Sequence, residues 1–86
     1  MKLPPALQEL SGGVETVEVT GRTVGECLEE LEAQFPGIKE SLFDRRGRLL
    51  RVFGIYLNSD GLHPVELDTP VQGGDEIVIL NFLMGG

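Results

Sequence analysis

The chain has 86 residues, enough for one domain and too few for a deep catalytic cavity. With 41% hydrophobic and 24% charged residues it has the composition of an ordinary globular protein rather than a disordered one. A net charge of −7 argues against nucleic acid, which needs clustered Lys and Arg, and the single cysteine, Cys27, excludes an intramolecular disulfide or a cysteine-rich metal site.

The chain opens with Leu3, Ala6, Leu7 and Leu10, and Ser11-Gly12-Gly13 reads as a turn. From Val14 to Thr20 apolar and polar residues alternate, Val17 and Val19 on one face and Thr16, Glu18 and Thr20 on the other. That pattern predicts a half-buried strand, the second arm of a hairpin whose first arm is kept short or at an edge by Pro4 and Pro5. The period then changes. Thr23-Val24-Gly25-Glu26 fits a capping box, and Val24, Cys27, Leu28, Leu31 and Phe35 follow at helical spacing until Pro36-Gly37 stops the helix.

Residues 38–50 are less regular, with a helical turn expected around Ser41-Leu42-Phe43 and a reverse turn at Arg46-Gly47. Val52 to Leu57 is rich in β-branched and aromatic residues and predicts a strand, ended by Asn58-Ser59-Asp60-Gly61. A short strand is expected around Val65-Glu66-Leu67, then turns at Asp68-Thr69-Pro70 and Gly73-Gly74-Asp75, then a strand over Glu76–Leu80. One helix must bury its stripe against one face of one sheet. The order therefore predicts an α+β roll of the β-grasp (ubiquitin-like) kind, a mixed sheet with one main helix on one face. Residues 1–82 form the domain and 83–86 a flexible tail.

Charge is unevenly placed. Five of the seven basic residues (Lys39, Arg45, Arg46, Arg48, Arg51) lie in one stretch, and after Arg51 only acidic residues follow: Asp60, Glu66, Asp68, Asp75 and Glu76. The acidic C-terminal third suits a basic protein partner, or is simply a solvated surface. No stretch approaches the roughly 20 apolar residues of a membrane span, and Met1-Lys2-Leu3-Pro4-Pro5 lacks the core of a signal peptide, so a cytoplasmic location is expected.

No enzyme site emerges. The one histidine, His63, stands beside Pro64 in a polar loop, and Cys27 lies on the apolar stripe of the helix, where a free cysteine behaves as a small hydrophobe. The glutamates of the helix read as a solvated face, and neither Gly12-Gly13 nor Gly73-Gly74 carries the surroundings of a phosphate loop. The C-terminal run Leu80-Asn81-Phe82-Leu83-Met84-Gly85-Gly86 remains. Two glycines make a peptide without side chains, able to thread a narrow channel. Leu80, Phe82 and Met84 share the parity of Val78, and the helix can cover only one side of the sheet. These three are expected to form the apolar part of a partner interface with the acidic C-terminal third around it, while Asp75 and Glu76, at the start of the last strand, are expected to govern the encounter rate and its salt dependence.

Here the sequence resembles the MoaD/ThiS family of sulfur carriers over nearly its whole length. The matching pieces are Leu10-Ser11-Gly12-Gly13, Thr23-Val24-Gly25-Glu26, Pro36-Gly37-Ile38, Ile55-Tyr56-Leu57-Asn58, Leu67-Asp68-Thr69-Pro70, Gly74-Asp75-Glu76-Ile77 and Gly85-Gly86. Each is weak alone; their order and spacing carry the resemblance. It implies a β-grasp fold and a non-catalytic carrier whose Gly86 carboxylate is adenylated by an ATP-dependent enzyme of the ubiquitin-activator type. A sulfur donor then converts it to a thiocarboxylate. The carrier itself would hold no metal or cofactor, ATP being used by its partner. Within the class, the resemblance points first to molybdopterin synthesis, with a large synthase subunit as acceptor. Supply of sulfur for cysteine, thiamine or a thionucleoside stands beside it, and from other classes a protein modifier or a plain β-grasp binding module. The chain departs from the family in a short first strand, in Gly54 where relatives often carry asparagine, and in a bulky Asn81-Phe82-Leu83-Met84. The long insert from Leu42 to Arg51 resembles the molybdopterin-type members and their cysteine-synthesis relatives.

Overall fold

Pro4 and Pro5 decide how the chain begins. Proline has no N–H to donate to a ladder, and its fixed φ suits the first turn of a helix. In the computed structural model, which describes residues 1–58 and 64–82, the first arm of the expected hairpin accordingly stops after Leu3 and gives way to a short helix, α1 (Pro5–Gln8). Strand pairing survives around Lys2, which bridges Thr16 antiparallel and Val78 in parallel. Leu3 N–H donates to Glu15 O at 2.8 Å and Val17 N–H to Met1 O at 2.8 Å. On the other side, Lys2 N–H donates to Ile77 O at 2.7 Å and Lys2 O accepts Ile79 N–H at 3.0 Å. The alternation read from Val14 to Thr20 holds, with Val17 buried, Val19 half-buried and Thr16, Glu18 and Thr20 exposed, although the segment pairs too briefly to form a continuous strand.

The main helix, α2 (Val24–Gln34), begins where the capping box placed it. The Thr23 hydroxyl accepts Glu26 N–H at 3.1 Å, and the Glu26 carboxylate reaches back to Arg22 N–H at 3.4 Å, one residue before the cap. The next free amides are taken from outside. Val24 N–H donates to Thr69 O and Gly25 N–H to Leu67 O, at 3.0 and 2.8 Å. This also explains why the strand expected at Val65-Glu66-Leu67 is absent. Only Val65 N–H reaches β1, at Ile55 O. Beyond it a Glu66–Thr69 turn commits its carbonyls to the helix end instead of to a neighbouring strand.

Phe35 leaves the helical region at the end of α2, and Gly37, at φ +100°, starts a second helix, α3 (Ile38–Leu42). That helix begins earlier than the turn expected around Ser41. The Glu32 carboxylate fixes the corner, accepting Gly37 N–H and Lys39 N–H at 2.9 Å each. Residues 43–49 form a tight hairpin, with Phe43 bridging Leu49, Gly47 at φ +80° and Asp44 Oδ1 accepting two amides.

Strands β1 (Phe53–Leu57) and β2 (Ile77–Asn81) pair antiparallel in the register Tyr56↔Val78, Gly54↔Leu80. Together with the Lys2 bridges they place Thr16, Lys2, Val78 and Tyr56 in one row, a mixed sheet with the first segment parallel to the last. Val24, Cys27, Leu28 and Leu31 of α2 bury against Ile55, Ile77 and Ile79 from the sheet and Ile38 and Leu42 from α3. Each large apolar side chain so buried contributes roughly 1.5–3 kcal/mol. This is the β-grasp roll that the element order predicts.

The helix glutamates lie on the solvated side of α2, as expected, and several of the polar side chains there also make tertiary contacts. Glu30 accepts Thr20 N–H and the Thr20 hydroxyl at 3.0 Å, Gln34 donates to Glu18 O at 3.4 Å, and Glu29 pairs with Lys39. No described helix is long and apolar enough to cross a membrane.

Candidate functional site

The sheet has one face under α2 and one face open. On the open face stand Tyr56 and Gly54 of β1, Val78 and Leu80 of β2, and Phe82 one residue beyond. Leu80 is 40% exposed and Phe82 47%, while Ile77 and Ile79, of opposite parity, are at 2% or less in the core. The parity argument from sequence therefore puts Leu80 and Phe82 where a partner could reach them. Beside Leu80 an open groove runs along Lys2, Leu3 and the Pro4-Pro5 corner. Met84, Gly85, Gly86 and His63 lie outside the described residues.

Phe82 is held at two points. Its N–H donates to Val52 O, continuing the ladder past the last residue of β2. Its ring meets Tyr56 edge to face, with centroids 6.4 Å apart at 88°, an arrangement favoured by the ring quadrupoles. The ring lies over Gly54, where an added Cβ would come within 2.7 Å of Phe82 Cε2 and 2.8 Å of Tyr56 Cε1. Two departures noted separately in the sequence, a glycine inside a strand and a bulky residue after one, thus meet in a single contact.

Asp75 and Glu76 precede β2, at the strand's start as the sequence places them and roughly 20 Å along the strand from Phe82. Asn58, in the left-handed region at φ +59°, ties them to the end of β1. Its Oδ1 accepts Glu76 N–H at 2.8 Å and its Nδ2 donates to Asp75 Oδ1 at 3.0 Å. Gln72 N–H, at 2.9 Å, and that Asn58 amide hold the Asp75 carboxyl below its ordinary value.

Among the described residues no group of three His, Cys, Asp or Glu could hold a metal ion. Cys27 is 2% exposed; burial, reinforced by the nearby Glu30 charge, pushes its thiol up, away from the nucleophilic thiolate. The described part of the chain thus leaves an exposed apolar face beside the exit of its last strand.

Over residues 1–86 the sequence matches the ThiS family. The chain belongs to that family of ubiquitin-like sulfur carriers. Curated relatives agree. The sulfur carrier protein CysO of Mycobacterium bovis and that of Mycobacterium tuberculosis are each 34% identical over 89 residues, covering 100% of this chain and 96% of theirs. Among solved structures, the Amycolatopsis orientalis BexX/CysO complex contains a chain that superposes with a TM-score of 0.85 at 31% identity, over 99% of this carrier and 96% of that chain. SAMP1 from Haloferax volcanii superposes at 0.78 with 28% identity, over 99% and 94%.

Sequence reasoning named Leu80 and Phe82 and singled out Gly54 and Asn58, but missed the contacts these two make. Gly54 interrupts an otherwise β-branched and aromatic run, which signals close approach by another group. Asn58 opens an Asn-Ser-Asp-Gly cluster, and asparagine is among the few residues that tolerate positive φ there.

Proposed function

We propose that this carrier delivers sulfur as a thiocarboxylate on Gly86, and that the sulfur goes to cysteine synthesis rather than to molybdopterin. The full-length similarity to CysO carriers supports this reading most directly. It favours the cysteine branch of the sequence-based expectations over a large molybdopterin synthase subunit as acceptor. In this reading residues 83–86 form the tail that reaches a partner's active site, Gly85 keeping it narrow.

The chemistry requires activation. A C-terminal carboxylate, with a reference pKa of about 3.3–3.7, is ionised at neutral pH and is a poor electrophile. A partner activating enzyme with ATP converts it to an acyl adenylate, releasing pyrophosphate. A sulfide-equivalent nucleophile then displaces AMP at the acyl carbon. The carrier's contribution is recognition and delivery through Leu80, Phe82 and Met84.

Intact mass spectrometry tests this. Carrier, cognate activating enzyme, ATP and a sulfide source should raise the carrier's mass by the difference between sulfur and oxygen, and deletion of Gly86 should abolish the change. The charged carrier should then support cysteine formation by a cysteine-forming acceptor enzyme. Transfer to a large molybdopterin synthase subunit instead would overturn the branch while sparing the carrier role.

The similarity to SAMP1, whose structure is also described as small archaeal modifier protein 1, favours a second reading in which Gly86 is joined to lysines of other proteins. Abundant conjugates in cell extracts that vanish on deletion of Gly86 would establish it.

A further inference from the structure

We propose that Gly54 is a positioning residue for the transfer end of this carrier. By having no side chain it seats the Phe82 ring against Tyr56, and that seat fixes the course on which the chain leaves β2. The inference rests on the reading of Gly86 as the charged group.

The geometry is specific to glycine. Gly54 lies opposite Leu80 in the sheet, so its missing side chain would point to the open face. The Phe82 ring occupies that space, and a methyl group there would stand 2.7 Å from Phe82 Cε2 and 2.8 Å from Tyr56 Cε1, closer than carbon atoms pack. Gly54 is not among the glycines with positive φ, so alanine suits its backbone and only the space above it changes.

Phe82 is the last described residue before the four that end in Gly86. Its backbone is tied to Val52 O and its side chain to Gly54 and Tyr56, on both sides of the same residue. A chain held in this way enters the complex with its backbone already fixed as far as Phe82. With the seat filled, the ring turns out into solvent, the Val52 bond loses its lateral support, and the fixed backbone ends one residue earlier. Fixing the backbone of one more residue on binding lowers apparent affinity by on the order of tenfold. Because that ordering belongs to complex formation, the loss falls on KM for the carrier and leaves kcat unchanged.

The experiment compares wild type, Gly54→Ala, Phe82→Leu and the double variant as substrates of the activating enzyme. Native-state hydrogen exchange at the Phe82 amide is measured on each variant without the enzyme. The expected result is a roughly tenfold rise in KM for Gly54→Ala and for Phe82→Leu, without further loss in the double variant, and faster exchange at residue 82. Unchanged KM and unchanged Phe82 exchange in Gly54→Ala overturn the proposal, as do additive losses in the double variant, which would mean that Gly54 acts without Phe82. Should the enzyme leave the wild-type carrier uncharged, the reading of Gly86 fails and takes the transfer role with it. Exchange at Phe82, which involves no enzyme, still shows whether the seat itself is real.

Discussion

Asn58 offers the sharpest test of how the two strands are held together. Its side chain makes two hydrogen bonds, one from Glu76 N–H at 2.8 Å and one to Asp75 Oδ1 at 3.0 Å, and its backbone sits at φ +59°. In Asn58→Ala both bonds go, at about 0.5–1.5 kcal/mol each, with exposure favouring the low end. Asparagine already carries a Cβ into the left-handed region but tolerates it better than alanine, a difference of under about 1 kcal/mol. The expected total is about 1–2 kcal/mol. Asn58→Gly loses the same bonds but pays no steric cost for its φ, so it should be destabilised by about 1 kcal/mol less than the alanine variant. Urea denaturation of the two variants beside wild type measures the difference. The backbone bond from Asn58 N–H to Glu76 O, at 2.6 Å, is untouched in both. If glycine is as costly as alanine, or costlier, positive φ is not what asparagine supplies here, and the argument from backbone strain fails.

Three further outcomes follow from the same structure. Thr23→Ala removes the hydroxyl that accepts Glu26 N–H and should cost about 1 kcal/mol, read as a lower melting temperature with the spectrum of the folded state retained. Glu30, Glu32 and Asp75 are all held below their ordinary carboxyl values, first by the backbone amides of Thr20, Gly37 and Gln72 respectively. A depressed carboxyl stabilises the fold above its unfolded value and loses that contribution as pH falls through its folded one. The melting temperature should therefore drop as pH falls below the ordinary glutamate value of 4.5, and Glu32→Gln should lower it at neutral pH while flattening the acid limb. Leu80→Ala, at a side chain 40% exposed, should weaken binding to the activating enzyme several-fold with little change in melting; lost stability with unchanged binding would assign Leu80 to the core instead.

What could be read from sequence was whatever depends on near neighbours in the chain. The capping box at Thr23, the apolar stripe Val24-Cys27-Leu28-Leu31 and the stop at Pro36-Gly37 are local, and the structure reproduces them. The alternation that set Leu80 and Phe82 against Ile77 and Ile79 is also local, and the burial follows it. The failures are of another kind. The strand expected at Val65–Leu67 lost to a partner more than forty residues earlier in the chain, the free amides of Val24 and Gly25, which no local pattern reveals. The glutamates of α2 do lie on its solvated side, but the amides that Glu30 and Glu32 accept, from Thr20 and Gly37, belong to segments beyond the helix and could not be read from it. Gly54 and Phe82 were each noticed, but their contact exists only because the register places Gly54 opposite Leu80, with Phe82 beyond it.

The contacts of Glu30 and Gln34 with the segment around Thr20 bear on how such a protein survives at high concentration. That segment is an outer edge of the sheet, and an edge with open N–H and C=O groups is a template for a strand from another molecule. Here the Glu30 carboxylate occupies the Thr20 N–H and the Gln34 amide occupies Glu18 O. Side chains from the protein's own helix fill the positions an intruding backbone would need. Two of the bonding positions along this edge are thereby closed to a strand from another molecule.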